Sequence, residues 1–324
     1  MRRREFVGGV GSAALWPALA WAQQPMPSVG LLAVTSIAAW AMEAFRKGLD
    51  EAGYAEGRNL TVVSRSAEGQ ADRLPALAAD LVRDRVSAIF ATGGPIPTRA
   101  AKAATASIPI VFAYGGDPVA DGLVASFNRP GGNVTGATFI SSALSAKRLG
   151  FLLEVTPRAA AIALLVNPKG TLAESQIRDA ETAVRTLGLR LHVISASSDV
   201  DIDEAFATIG RLKIGALLVG ADPLFAFFFS EKIAALASRT GVPSIYDSRA
   251  YVDPGGLMSY GPLLPDTWQQ AGIYVGRILK GERPADLPIV QATKFELVIN
   301  LKTAKALDLE IPSKLLFIAD RVIE

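Results

Sequence analysis

The chain has no cysteine and a single histidine, His192. Without cysteine there are no disulfides, no thiolate metal sites and no N-terminal Cys to carry a lipid. One imidazole is too few for a zinc or copper site. His192 sits in the strand-like run Leu-Arg-Leu-His-Val-Ile-Ser-Ala, and no G-x-S-x-G turn accompanies it, so it reads as structural rather than as the base of a nucleophile pair. These absences count against a hydrolase or metalloenzyme, and no cofactor is implied. An excess of one charge sign is also missing. Setting aside Arg2, Arg3, Arg4 and Glu5 leaves 30 basic and 30 acidic residues, with no Lys/Arg cluster to follow a phosphate backbone. Nucleic acid is therefore not an expected partner. Past residue 22 no apolar run reaches the roughly 20 residues that a membrane span needs.

The first residues, MRRREFVGGVGSAALWPALAWA, have the composition of an export signal. Arg3 and Arg4 followed by Glu5, Phe6 and Val7 resemble the twin-arginine motif. Gly8 to Ala20 is a weakly apolar stretch, and Ala20-Trp21-Ala22 is a small-x-small cleavage site. The expected destination is the periplasm, with residues 1–22 removed. The match of Gly9-Val-Gly-Ser-Ala-Ala14 to a dinucleotide fingerprint falls inside this leader, has no strand before it, and is spurious.

About 300 residues remain, enough for two domains. Short β-rich runs alternate with helical patterns. Val29 to Val34, Leu60 to Ser66, Ala88 to Ala91 and Ile108 to Tyr114 read as strands. Phe45, Leu49 and Ala52 mark one intervening helix face, and Leu74, Leu77 and Leu81 mark another. The pattern recurs from Ala161 to Val166 through Leu189 to Ser195, Ala216 to Val219, Pro243 to Tyr246 and Gly256 to Tyr260. This predicts an α/β fold of two similar, doubly wound parallel-sheet lobes. A leader at 1–22, a first lobe of 27–138 plus 262–324, and a second lobe of 139–261 follow. The Pro/Gly-rich turn Arg129 to Gly136 opens a strand expected to run into the second lobe, and the tail is expected to return to the first. Crossovers near Gly136, Gly261 and Leu287-Pro288 would form a hinge.

In parallel sheets ligands bind beyond the carboxyl ends of the strands. That rule selects Ser36 and Trp40 after the first strand, Gly93 and Gly94 after the third, and Asp117 after the fourth. In the second lobe it selects Asn167, Asp222 and Asp247, with Tyr260 at a crossover. Asn167-Pro168, Asp117-Pro118 and Asp222-Pro223 each suit a helix start, which would turn free N–H groups toward the cleft and favour a ligand carboxylate. Asp222 and Asp247 suit a ligand amine. Phe225, Phe227, Phe228 and Phe229 cannot all face one core, which leaves some for the cleft and at least two for packing.

Several segments carry a family likeness. They are Phe45-Arg-Lys-Gly-Leu49, Ile108-Pro-Ile-Val-Phe112, Gly116-Asp-Pro-Val119, Arg129-Pro-Gly-Gly-Asn-Val-Thr-Gly136, Gly255-Gly-Leu-Met-Ser-Tyr-Gly261 and the tail Phe295 to Leu307. Through them the chain resembles the ABC-transporter substrate-binding proteins, tryptophan/tyrosine-type periplasmic components with the type I periplasmic-binding fold. The resemblance implies capture of a small-molecule solute, and the strand-end residues point to a carboxylate-bearing one, an amino acid or aromatic acid. It also implies delivery to an ABC permease in the inner membrane, driven by a cytoplasmic ATPase. A monomer without enzymatic activity is the expected form. The alternatives are an exported α/β hydrolase-type enzyme and a ligand sensor for a membrane receptor.

Overall fold

A computed structural model describes residues 26–139, 144–170 and 172–324. The leader at 1–22 lies outside the described residues. The first lobe is built from β1 (Ser28–Ala33), α1 (Ala39–Glu51), β2 (Thr61–Ser66), α2 (Leu74–Arg83), β3 (Ala88–Thr92), α3 (Pro95–Ala104), β4 (Ile110–Tyr114) and β5 (Val134–Thr138). These strands are parallel, in the order β2-β1-β3-β4-β5. Helices cover both faces, so the strands are apolar on both sides rather than alternating. Leu31 points into one buried cluster with Phe45 and Phe90, and its neighbour Leu32 into another with Leu74 and Phe112.

The second lobe repeats the plan. It contains α4 (Ser145–Val155), β6 (Ala161–Val166), α5 (Ala173–Thr186), β7 (Arg190–Ser195), α6 (Asp199–Arg211), β8 (Ala216–Val219), α7 (Ser230–Thr240), β9 (Ser244–Tyr246) and β10 (Met258–Pro262). Its parallel strands lie in the order β7-β6-β8-β9-β10, the counterpart of the first. In each sheet the winding reverses beside the first strand of the lobe, between β1 and β3 and between β6 and β8. Those are the topological switch points where such sheets open a crevice.

The chain ends with α8 (Leu264–Leu279), β11 (Val290–Gln291), β12 (Phe295–Asn300), α9 (Leu301–Ala306), α10 (Ser313–Ile318) and β13 (Arg321–Ile323). Here the structure departs from the sequence reading. The strand after Arg129 is β5, which belongs to the first sheet and pairs with β4, and the chain crosses only after Thr138. The tail divides instead of returning whole to the first lobe. α8 packs on α1 and β11 pairs with β5, but β12 pairs antiparallel with β10, and β13 pairs with β12. The cause is burial. Val298 enters one core of the second lobe, while Leu297 and Ile299 enter the other, so β12 is apolar on both faces and needs a covered sheet. The third passage between sheets therefore falls between Gln291 and Phe295 rather than at Leu287-Pro288.

α1 and α8 cross very closely, and glycine allows it. A Cβ on Gly48 would collide with the Gln269 carbonyl, and one on Gly272 with the Phe45 carbonyl. Phe45 stacks on Phe90 at 4.5 Å just beneath this crossing.

Candidate functional site

A cleft of about 1350 Å³ opens where the carboxyl ends of the two sheets face each other. Ser36, Trp40, Gly93 and Gly94 line it from the first lobe, and Asn167, Asp222 and Asp247 from the second. Asp117 and Tyr260 are not among its lining residues. The Asp117 carboxylate folds back on its own turn, where Oδ1 accepts from the backbone N–H groups of Val119 and Ala120 at 2.8 and 3.1 Å. Tyr260 fails on strand parity. Its neighbours Ser259 and Gly261 border the cleft, so its own ring turns to the opposite face, against Phe151 and Phe295.

The first-lobe wall is rich in backbone donors, with Glu68 as its charged side chain. α1 begins three residues after Ser36, and no side chain caps its N-terminus. The N–H groups of Ala39 and Trp40 lead the helix, while that of Ala41 already donates to the Ala38 carbonyl. Gly93 and Gly94 have φ of 91° and 111°, which brings the backbone into the cleft in a shape that other residues rarely adopt. α3 then starts with Pro95 and has Pro97 two residues on, which removes two of its leading N–H donors. That leaves α1, not α3, as the better anion-holding terminus. Trp40 is 37% exposed. Its ring meets Trp268 edge-on at 6.1 Å, and Trp268 in turn meets Phe90 at 5.2 Å. Trp268 belongs to the core-facing side of α8. It is nearly buried, yet its edge also reaches the cleft.

The second-lobe wall carries four carboxylates, Asp222, Asp247, Asp253 and Glu296, against two cations, Lys169 and Arg249. Across the β6/β8 switch point, Asn167 Nδ2 donates to both carboxylate oxygens of Asp222 at 3.2 Å. Asp222 Oδ1 also accepts from the N–H of Leu224 at 2.9 Å and of Phe225 at 3.4 Å. Burial nonetheless pushes the Asp222 carboxyl above its usual range. The three Asx-Pro pairs behave differently from one another. Only Asp222 leads straight into helical structure; Asn167 and Asp117 cap turns, and α5 starts later, at Ala173. Asp247 lies beyond β9. Burial raises its carboxyl to about 6, against the opposing pull of Arg148. Arg148 projects from α4 and is 1% exposed, and its Nε donates to the Tyr260 carbonyl at 2.7 Å. Burial lowers its pKa, and Asp247 opposes that shift. Glu296 on β12 also borders the cleft, and burial raises its carboxyl too.

The run Phe225–Phe229 forms a π-helical turn, whose extra residue per turn splits the phenylalanines between two surroundings. Phe225 is fully buried, and Phe229 packs partly against the same core. Phe227 and Phe228 stay exposed and line the cleft.

Some supporting residues were not singled out from the sequence. Gln176 on α5 is 3% exposed. It donates to the Ala221 carbonyl and accepts from the Ala221 N–H, which pins the segment that carries Asp222. Its signal was a polar side chain on the apolar face that runs from Ala173 to Ala180. Arg148 left the same signal, a charge flanked by the buried Leu149 and Leu152.

Residues 35–323 match the family model described as ABC transporter substrate binding protein. The chain is 28% identical over 271 residues to a tyrosine-binding protein of Clostridioides difficile (strain R20291), across 83% of this chain and 77% of that one. Its fold is similar to an ABC domain from Streptococcus pneumonia solved in complex with L-Trp. There the TM-score is 0.83 at 24% identity, over 92% of this chain and 99% of that one. A conserved domain protein from Vibrio cholerae O1 biovar El Tor matches with the same TM-score and coverage at 26% identity.

Proposed function

The chain belongs to the family of ABC transporter substrate-binding proteins, and from that premise we propose that it captures a small amino acid, aromatic in side chain, between its two lobes. The observation that carries this reading is the uncapped N-terminus of α1 on one wall, with the carboxylates of Asp222 and Asp247 on the other. The ligand carboxylate lies at the uncapped N-terminus of α1 beside Ser36, and the amine lies toward Asp222 and Asp247. Trp40 from one lobe and Phe227 and Phe228 from the other flank its ring. The excess of carboxylates on the second wall favours an amino acid over an aromatic acid that lacks an amine. The tyrosine and L-Trp in the descriptions of the two relatives agree with a zwitterionic aromatic solute.

The bound form passes the solute to a permease in the inner membrane, powered by a cytoplasmic ATPase, and no covalent chemistry is involved. The protein works as a monomer in the periplasm after twin-arginine export. Export should stop when Arg3 and Arg4 both become Lys, and normal export of that variant would refute the route. Among the described residues no helix is long and apolar enough to cross a membrane.

The direct test is thermal shift and tryptophan fluorescence of the mature chain with the twenty amino acids and with aromatic acids. A ligand at about 100 times its Kd stabilises the fold by roughly 2.7 kcal/mol. Trp40 and Trp268 touch and both border the cleft, so both should contribute to the emission change. A shift produced only by neutral sugars would refute the reading.

A further inference from the structure

Each wall of the cleft carries one charge that the rest of the protein leaves unused. On the first lobe it is Glu68, the charged side chain of that wall. On the second lobe the cations are Lys169 and Arg249, and Arg249 already lies 3.5 Å from the Asp253 carboxylate. Glu68 and Lys169 are both exposed, and neither side chain has an ion-pair or hydrogen-bond partner among the described residues. An unpaired carboxylate on one lobe is thus matched by an unpaired ammonium on the other.

Topology sets both away from the hinge. The chain passes between the lobes from β5, β10 and β11, which lie at or near one edge of each sheet, while β2 and β7 form the opposite edges. Glu68 comes two residues after β2, and Lys169 comes three residues after β6, the neighbour of β7. Hydrogen bonds from Ser197 and Ser198 hold the Asp201 carboxyl below its usual range, and the Lys169 charge adds to them, so Lys169 lies toward the start of α6, beyond β7. Both residues ride on fixed turns. Glu68 has φ of 50°, a left-handed conformation uncommon outside glycine, and its N–H donates to Ser66 Oγ at 3.2 Å while that of Gly69 donates to the Val34 carbonyl at 2.8 Å. The Lys169 N–H donates to Asn167 Oδ1 at 3.0 Å, and that of Gly170 to the Asn167 carbonyl at 2.9 Å.

We propose that Glu68 and Lys169 form a clasp across the mouth of the cleft, made only when the lobes swing together, which raises solute affinity without touching the solute. The inference rests on the reading of the chain as a clamp that shuts on its solute. A hinge gives the greatest travel to the edges farthest from it, and these two turns lie there. Apparent affinity scales with the fraction of chains in the binding-competent form, so a contact present only in the closed form tightens binding. A solvent-exposed ion pair is weak, and its expected effect on affinity is about two- to fivefold.

The test is calorimetric titration of the mature chain with L-tryptophan. Glu68→Lys or Lys169→Glu alone should weaken binding by at least that factor, because attraction becomes repulsion, and the two together should restore it. Salt at about 1 M should shrink the gap between wild type and Glu68→Gln, since it screens an exposed pair. A second measurement exploits the absence of cysteine: Glu68→Cys with Lys169→Cys supplies the only two thiols of the chain. A short bis-methanethiosulfonate should bridge them, and faster with L-tryptophan than without. Thiols left unbridged at saturating L-tryptophan, or a double exchange that binds no better than its weaker single variant, would overturn the clasp and leave the amino-acid reading standing. If L-tryptophan does not bind, the amino-acid reading fails, and the free chain decides the clasp: bridged thiols uphold it and unbridged thiols refute it.

Discussion

At the scale of single residues, Asp247 has opposite effects on stability and on binding. Its carboxyl titrates near 6 in the native chain and near 3.8 when unfolded. The native state thus holds the proton more tightly, and stability from this group falls as pH rises between those values, by at most about 3 kcal/mol. Binding runs the other way, because an ammonium needs the ionised carboxylate, so affinity should drop as pH falls below about 6. Melting curves and titrations across this range should show both slopes, and Asp247→Asn should flatten them. Affinity that is constant through the range would exclude Asp247 from the site. Asp222→Ala should weaken an amine-bearing ligand by about 2–5 kcal/mol, since it leaves a buried cation unpaired. It also removes the cap that Asp222 supplies to Leu224, whereas Asp222→Asn keeps the cap, so comparing the two separates folding from binding. Normal binding by both would refute the amine contact. Asp222, Asp247 and Asn167 were legible in the sequence because each follows a strand. Ser259 and Arg148 were not, because their roles depend on neighbours more than a hundred residues away or on strand parity.

At the scale of elements, strand–helix alternation located most of the sheet strands, because strands covered on both faces leave continuous apolar runs. The short β11 and β13 left no such run. Nor did sequence tell which sheet β12 joins, since its burial pattern suits either. The π turn at Phe225–Phe229 shows as a run of phenylalanines too dense for one helix face, but only the extra residue in the turn decides which ones reach the cleft. The α1/α8 crossing is equally hidden: Gly48 and Gly272 sit in unremarkable helical sequence. Gly272→Ala should cost about 1–3 kcal/mol by overpacking, read as a lowered Tm, with L-tryptophan affinity reduced if α1 shifts. An unchanged Tm would show that the helices separate freely.

At the scale of the molecule, three segments of chain join the lobes, and the proposed solute capture makes them the pivot for closure. Small-angle scattering should give a smaller radius of gyration with saturating L-tryptophan, because the ligand need favour the closed form by only a few kcal/mol to shift the population. An unchanged radius under saturation would indicate a rigid cleft. The division of the tail bears on how the chain is made. β11, which extends the first sheet, arrives only at Val290–Gln291, and β12 and β13 complete the second sheet at Phe295–Asn300 and Arg321–Ile323. Neither lobe can therefore finish folding until these late segments have left the ribosome. A solute can be held only after β13 has emerged, and a chain ending at Ala292 should keep a folded first lobe while its second lobe is readily digested by protease.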